Sequence, residues 1–171
     1  MNGTHQVIVQ NNRQQFKFTL RRNITILKGN SATGKTTLID LIQLYQDNGE
    51  NSGINIACDK PCAVLSGALW RERLEYIKDS IVFIDEGNAF IRSDEFVSAI
   101  KRSDNYYVIA TREYLPNLPY SINEIYGIKN VGKKKYPGFV RLYSEFYPLN
   151  REKLNGIEQP EPVIVEDAGI L

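Results

Sequence analysis

Nine residues near the start of the chain, 29–37 (GNSATGKTT), have the types and spacing of an anion-binding loop. Gly29, Gly34, Lys35 and Thr36 occupy the fixed positions of the pattern G-x-x-x-x-G-K-[ST]. Glycines let the backbone wrap an anion with its N–H groups pointing inward, and a helix start adds unpaired N–H groups and a positive dipole end. We expect phosphate groups to be bound by Gly29, Asn30, Ser31, Ala32, Thr33, Gly34, Lys35, Thr36 and Thr37.

Two adjacent acids, Asp85 and Glu86, close the apolar run at residues 81–86 (IVFIDE). Ligands bind at such strand ends in parallel α/β sheets. Mg²⁺ favours oxygen ligands, so we expect Asp85 and the Thr36 hydroxyl to hold this ion. Glu86 is placed to orient or deprotonate a water that faces the last phosphate, while Lys35 bridges the outer phosphates. The two motifs together predict a magnesium-dependent site for a nucleoside triphosphate.

Strands and helices are predicted around both motifs. Residues 23–27 (NITIL) and 106–110 (YYVIA) are apolar and β-branched or aromatic, which favours buried strands. Residues 37–45 (TLIDLIQLY) have apolar side chains at helical spacing. Residues 90–102 predict a second helix with Ser93 as its cap. Further predictions are a helix over 67–78, short strands at 54–57 and 63–65, and an irregular loop at 115–120.

Two β-hairpins are predicted outside this central part. Residues 6–10 and 15–20 alternate polar and apolar side chains on either side of a polar turn, which predicts an N-terminal hairpin. Near the other end, residues 124–128 predict a strand, 129–138 (KNVGKKKYPG) a turn-rich basic segment, and 139–143 (FVRLY) a strand that pairs back as a C-terminal hairpin.

The C-terminal hairpin carries a possible partner site. Its cations and aromatic rings have the chemistry to grip a nucleic-acid backbone and stack on bases. The alternative is a solvated hairpin tip. The residues concerned are Lys133, Lys134, Lys135, Tyr136, Arg141 and Tyr143.

Length and composition bound the remaining choices. At 171 residues with a net charge of +1, the chain is expected to form one domain over residues 1–149, and nothing global requires nucleic acid. Residues 150–171 predict a linker or tail, or the start of a further domain. No apolar run reaches the roughly 18 residues of a membrane span, and a signal-peptide pattern is absent, so we expect a cytoplasmic protein. Cys58 and Cys62 predict two reduced thiols rather than a zinc site.

The two motifs resemble those of P-loop NTPases, and Asp85-Glu86 resembles the branch with a catalytic glutamate, which includes AAA+ and ABC ATPases. The resemblance covers residues 23–128. It implies an α/β three-layer sandwich with a mostly parallel central sheet, in which strand 106–110 lies between strands 23–27 and 81–84. It also implies ATP as substrate, and Thr111 as the polar residue that senses the last phosphate. Arg112 is left between a phosphate contact and a pairing with Glu113 or solvent.

The resemblance implies an ATPase that acts as a switch on a protein or nucleic-acid partner, with Glu86, Lys35 and Thr111 as catalytic residues. The chain lacks the helical lid of AAA+ proteins and the signature loop of ABC proteins. The stretch Asp85-Glu86-Gly87 with Phe90 also resembles the D-E-G-x-x-F stretch of thymidine kinases. Two alternatives therefore stay open, a small nucleoside kinase and a non-hydrolysing nucleotide-binding module.

Overall fold

A computed structural model describes residues 3–29 and 34–149 of the chain. The loop residues Asn30, Ser31, Ala32 and Thr33 and the predicted tail at 150–171 lie outside the described residues. The strands are β1 (His5–Gln10), β2 (Gln14–Leu20), β3 (Ile24–Leu27), β4 (Asn55–Ala57), β5 (Cys62–Val64), β6 (Ile81–Ile84), β7 (Tyr106–Ala110), β8 (Ile125–Tyr136) and β9 (Phe139–Pro148).

The helices are few, and only 27% of the structure is helical. They are α1 (Lys35–Asn48), α2 (Trp70–Leu74) and α3 (Asp94–Lys101), with 3₁₀ turns at Gly49–Ser52, Ala89–Arg92 and Ile122–Glu124. No helix in the described ranges combines the length and apolarity that a membrane crossing would need.

All nine strands of the described ranges join one sheet, in the order β4-β1-β2-β9-β8-β3-β7-β6-β5. Strands β4 and β5 are its two edges, although only residues 58–61 separate them along the chain. Four residues reach less than about 20 Å even when extended, so the edges must lie near each other. The sheet therefore curls strongly into a half-barrel.

The predicted three-layer P-loop NTPase sandwich with a mostly parallel sheet is wrong. The sheet is mixed, because the long β8–β9 and β1–β2 ladders and the β1–β4 pair are antiparallel. Strand β9 also pairs in parallel with β2, which merges both predicted hairpins into the central sheet. The hairpins themselves are confirmed, as is the position of β7 between β3 and β6.

Apolar residues cover both faces of the parallel strands β3, β7 and β6. On one face, α1 contributes Leu38 and Ile42 to a core that also contains Phe18 of β2 and Phe83 of β6, so this helix lies within the curl of the sheet. On the other face, α3 contributes Phe96 to a second core. This double cover explains why these strands are continuous apolar runs, whereas β1 and β2 alternate.

Two predicted segments differ from the structure. The helix expected over 67–78 is reduced to the five residues of α2, which starts at Trp70. The basic segment at 129–138 is not turn-rich, since β8 continues to Tyr136 and pairs with β9 along its length. Cross-strand pairing overrides the weak strand propensity of its glycine and lysines.

Candidate functional site

The two ends of the glycine loop are held by backbone conformations that favour glycine. Gly29 has a φ of 142° and Gly34 a φ of 103°. Gly34 is the cap of α1, whose first backbone hydrogen bond runs from Leu38 N to Gly34 O at 2.9 Å. The N–H groups of Thr36 and Thr37 therefore precede the helical ladder, at the position where helix starts bind anions.

Lys35 lies at the centre of the candidate site. It is the first residue of α1 and is only 3% exposed. Its Nζ donates a hydrogen bond to Gly29 O at 2.6 Å, which ties the two ends of the loop together. The same Nζ lies 3.7 Å from Glu86 Oε1. The predicted meeting of the glycine loop and the acids after β6 is therefore present in the structure.

Asp85 and Thr36 are neighbours, as the predicted metal site requires. Burial raises the pKa of Asp85, and the negative charges of Glu86 and Asp40 act in the same direction. Hydrogen bonds from the Glu86 N–H, at 2.9 Å, and from the Thr36 hydroxyl act in the opposite direction and lower this pKa. A carboxylate and a hydroxyl on adjoining elements form a donor set that suits a hard divalent cation.

Among residues 3–29 and 34–149, no three His, Cys, Asp or Glu side chains converge on a common point. A cation here would therefore depend on Asp85, Thr36, water and oxygens of a bound ligand. Mg²⁺ is the ion that fits such a sparse set, because it usually keeps several waters and binds substrate phosphates.

Glu86 is also paired with Arg112, a contact that the sequence left undecided. Arg112 Nε lies 3.2 Å from Glu86 Oε2, so the carboxylate is shared between two cations. Glu113 pairs instead with Arg92, at 3.0 Å. The available signal was that Glu86 and Arg112 follow the adjacent parallel strands β6 and β7, whose carboxyl ends meet at one edge.

Thr111 lies at the end of β7, but its hydroxyl is engaged locally. The Glu113 N–H donates to Thr111 Oγ1 at 3.0 Å, which closes a short turn. The residue is 2% exposed, and its own N–H donates to Leu27 O of β3 at 3.0 Å. The structure assigns Thr111 to shaping the edge of the site, and its predicted phosphate-sensing role stays a prediction.

A groove of about 610 Å³ lies elsewhere, between α2 and α3. Its lining includes Trp70, Arg102 and Asn105, and Asn105 precedes the amino end of β7. This is the end of the strand opposite to Thr111, so the groove does not belong to the candidate site.

No protein-family model matches the chain, and no curated protein matches it. The case for a function therefore depends on the residues and geometry of the site itself.

Proposed function

We propose that this protein binds a nucleoside triphosphate, ATP, with Mg²⁺ and hydrolyses its β–γ bond. The observation that carries the proposal is the meeting of Lys35, at the start of α1, with the acids that follow β6. A buried lysine, helix-start amides and two carboxylates at one sheet edge are what a triphosphate with its counterion requires. The proposal rests on this site and not on the overall fold.

In the proposed site, some residues bind the phosphates and Mg²⁺, and Glu86 acts on the attacking water. The loop amides and Lys35 neutralise the charge that builds on the phosphate oxygens. Asp85 and Thr36 would hold Mg²⁺, which would polarise the transferring phosphoryl group when bound. Glu86 orients the attacking water and takes its proton while the water oxygen bonds to the γ-phosphorus and the bond to the ADP oxygen breaks.

The two ion pairs of Glu86 link nucleotide binding to the position of the catalytic carboxylate. Lys35 and Arg112 both contact its carboxylate. The phosphates give Lys35 a more highly charged partner, so nucleotide binding draws it away from Glu86. Arg112 then remains as the cation that fixes the carboxylate beside the reacting group.

Phosphate release from Mg·ATP tests the proposal. In Glu86→Gln we expect release to fall by about 100-fold or more while nucleotide binding is retained, because the amide accepts a proton poorly. The matched control is Glu113→Gln, which removes an exposed carboxylate paired with Arg92 and should leave release unchanged.

Other outcomes separate the alternatives. Transfer of the phosphate to thymidine or another nucleoside would show that the protein is a nucleoside kinase and not an ATPase. Binding of Mg·ATP without either product would leave a nucleotide-binding module. Equal phosphate release from wild type and Glu86→Gln would remove Glu86 from the mechanism.

A further inference from the structure

The outer part of the β8–β9 hairpin, residues 131–144, is an antiparallel ribbon that we call the basic ribbon, and its residues 142–144 also pair with β2. It contains the cations Lys133, Lys134, Lys135 and Arg141 and no Asp or Glu, whereas the whole chain carries a net charge of only +1. The three lysines are exposed. Within the described ranges, none of the ion pairs includes any of these four cations. The ribbon therefore concentrates positive charge that no carboxylate of residues 3–29 and 34–149 pairs with.

One face of the basic ribbon combines two of these cations, Lys134 and Arg141, with aromatic rings, whereas strand alternation places Lys133 and Lys135 on the opposite face. Cross-strand pairing sets Tyr136 opposite Phe139 and Lys134 opposite Arg141. The Tyr136 and Phe139 rings stack with centroids 4.8 Å apart. The Arg141 guanidinium lies 5.3 Å from the Tyr136 centroid and 5.7 Å from that of Phe139, and Lys134 Nζ lies 5.2 Å from Tyr136. Both rings stay partly exposed, so a flat group can stack beside the cations.

Polar groups beside the rings are engaged within the ribbon. The Tyr136 and Tyr143 hydroxyls lie 2.7 Å apart in a mutual hydrogen bond. Asn130 Nδ2 donates to Gly132 O at 3.3 Å and to Tyr143 O at 3.0 Å. This face therefore presents positive charge and aromatic ring surface. These groups suit a partner that has phosphates and planar bases, and they do not recognise a partner through specific hydrogen bonds.

We propose that the basic ribbon binds single-stranded nucleic acid, with Lys134 and Arg141 on the phosphates, the rings beside them against unstacked bases, and Lys133 and Lys135 adding positive charge from the other face. A duplex offers phosphates but keeps its bases stacked on one another, so it engages only the charge. Because the ribbon does not direct hydrogen bonds at base edges or at the 2′-hydroxyl, binding depends little on base sequence, and DNA and RNA bind alike. The proposal does not depend on ATP hydrolysis.

Fluorescence anisotropy with labelled 20-nucleotide oligo(dT) and oligo(U) tests this binding on the full chain. We expect the logarithm of the affinity to fall linearly with the logarithm of salt concentration, because phosphate neutralisation releases counterions. In Lys133→Ala/Lys134→Ala/Lys135→Ala the slope should become shallower by at least about 0.7, the contribution of one phosphate contact on a single strand, because Lys134 lies on the face that carries the rings.

A matched control removes the same charge elsewhere. Lys78→Ala/Lys101→Ala/Arg102→Ala replaces three exposed cations beyond the ribbon and should keep the wild-type salt slope. The stacking contribution is separated by Phe139→Ala, which should weaken binding about tenfold with the slope unchanged. Phe139→Trp preserves a stacking surface and should restore the affinity. Melting curves of each variant exclude unfolding as the cause.

Three results would overturn the proposal. The first is oligonucleotide binding that is absent or insensitive to salt. The second is equal loss of affinity in the ribbon variant and in the control variant. The third is duplex DNA binding as tightly as the single strands, with Phe139→Ala having no effect. Binding to vesicles containing phosphatidylserine, with no oligonucleotide binding, would instead make the ribbon a membrane-surface site.

Discussion

Among the residues of the candidate site, Glu86 has the contacts that best indicate how the proposed site would work. It lies between Lys35, which is buried, and Arg112, which is more than half exposed. In the proposed site Lys35 would bind the phosphates, whereas Arg112 could stay with Glu86 throughout the proposed reaction. We therefore regard Arg112 as a positioning residue for the carboxylate.

Replacement of Arg112 tests this role. In Arg112→Ala we expect kcat for ATP hydrolysis to fall about 10- to 100-fold with little change in KM, because a misplaced catalytic group slows the chemical step more than binding. Arg92→Ala is the control, since Arg92 pairs with Glu113 rather than Glu86. A rise in KM alone would show that Arg112 contacts the nucleotide instead.

The two cysteines form a pair with unequal acidity. A hydrogen bond from Cys62 lowers the pKa of the Cys58 thiol to about 7, and the same interaction together with burial raises the pKa of Cys62. The expectation of two ordinary thiols misses this difference, because C-x-x-x-C spacing alone does not show which thiol donates.

Alkylation by iodoacetamide should therefore select Cys58. The thiolate is the reactive form, so the rate should rise with pH, reach half its maximum near pH 7, and fall on acidification below that value. Mass spectrometry of the labelled protein should locate the adduct on Cys58. Labelling of both thiols with equal rates, half-maximal above pH 8, would contradict this assignment.

At the scale of the element, α3 depends on a cap that the sequence predicted correctly. Ser93 Oγ accepts a hydrogen bond from Phe96 N at 3.1 Å, and Asp94 and Glu95 occupy the first turn. These groups satisfy a free N–H and complement the positive end of the helix dipole. The cap also directs Phe96 into the second core.

Removal of the cap should lower stability by a measurable amount. We expect Ser93→Ala to cost about 1 kcal/mol, or about 2–4 °C in Tm, because the Phe96 N–H loses its acceptor. Ser98→Ala, at an exposed position of the same helix, should be neutral or slightly stabilising. Equal Tm values for both variants in thermal melts would show that the cap contributes nothing.

At the scale of the whole molecule, residues 58–61 join the two edges of the curled sheet. Asp59 in this link accepts a hydrogen bond from His5 Nδ1 of β1 at 2.9 Å, and His5 packs edge-on against Tyr106 of β7. Pro61 O of the same link accepts a hydrogen bond from Ile81 N of β6 at 2.8 Å, so the link contacts strands from both halves of the sheet.

The pair of His5 and Asp59 predicts a pH-dependent contribution to stability. The hydrogen bond from His5 lowers the pKa of Asp59, so the carboxylate stabilises the fold above its ordinary pKa of about 3.9. This contribution is lost as pH falls through the lowered pKa. Wild type should melt above Asp59→Asn at pH 6, and the difference should vanish at strongly acid pH. A constant difference in Tm over this range would contradict the account.

The sequence indicated which residues of the candidate site lie close together, but it did not indicate the order of the sheet. Gly29, Gly34, Lys35 and Thr36 are close in the chain, and their spacing fixes their geometry. The sequence also placed the acids after β6 in the predicted site, because the carboxyl ends of parallel strands meet at a common edge of the sheet. Arg112 was ambiguous, because its neighbour Glu113 offered an equally simple partner.

The sheet order depends on pairings between distant parts of the chain. Alternation in β1, β2 and β9 indicates which side chains share a face, but not which strand lies beside which. The parallel pair of β2 and β9, with Gln14 opposite Leu142, joins residues far apart in sequence. No local pattern encodes this pair, and it is the one that closes the predicted hairpins into a single curled sheet.

We propose that the loop from Gly29 to Thr36 and the acids Asp85 and Glu86 form one triphosphate site, and calorimetric titration of the folded protein with Mg·ATP tests this. We expect saturable binding of one nucleotide, abolished in Lys35→Ala, and weakened in Asp85→Asn only when Mg²⁺ is present. Absence of heat with both Mg·ATP and Mg·GTP, or undiminished binding in Lys35→Ala, would contradict it.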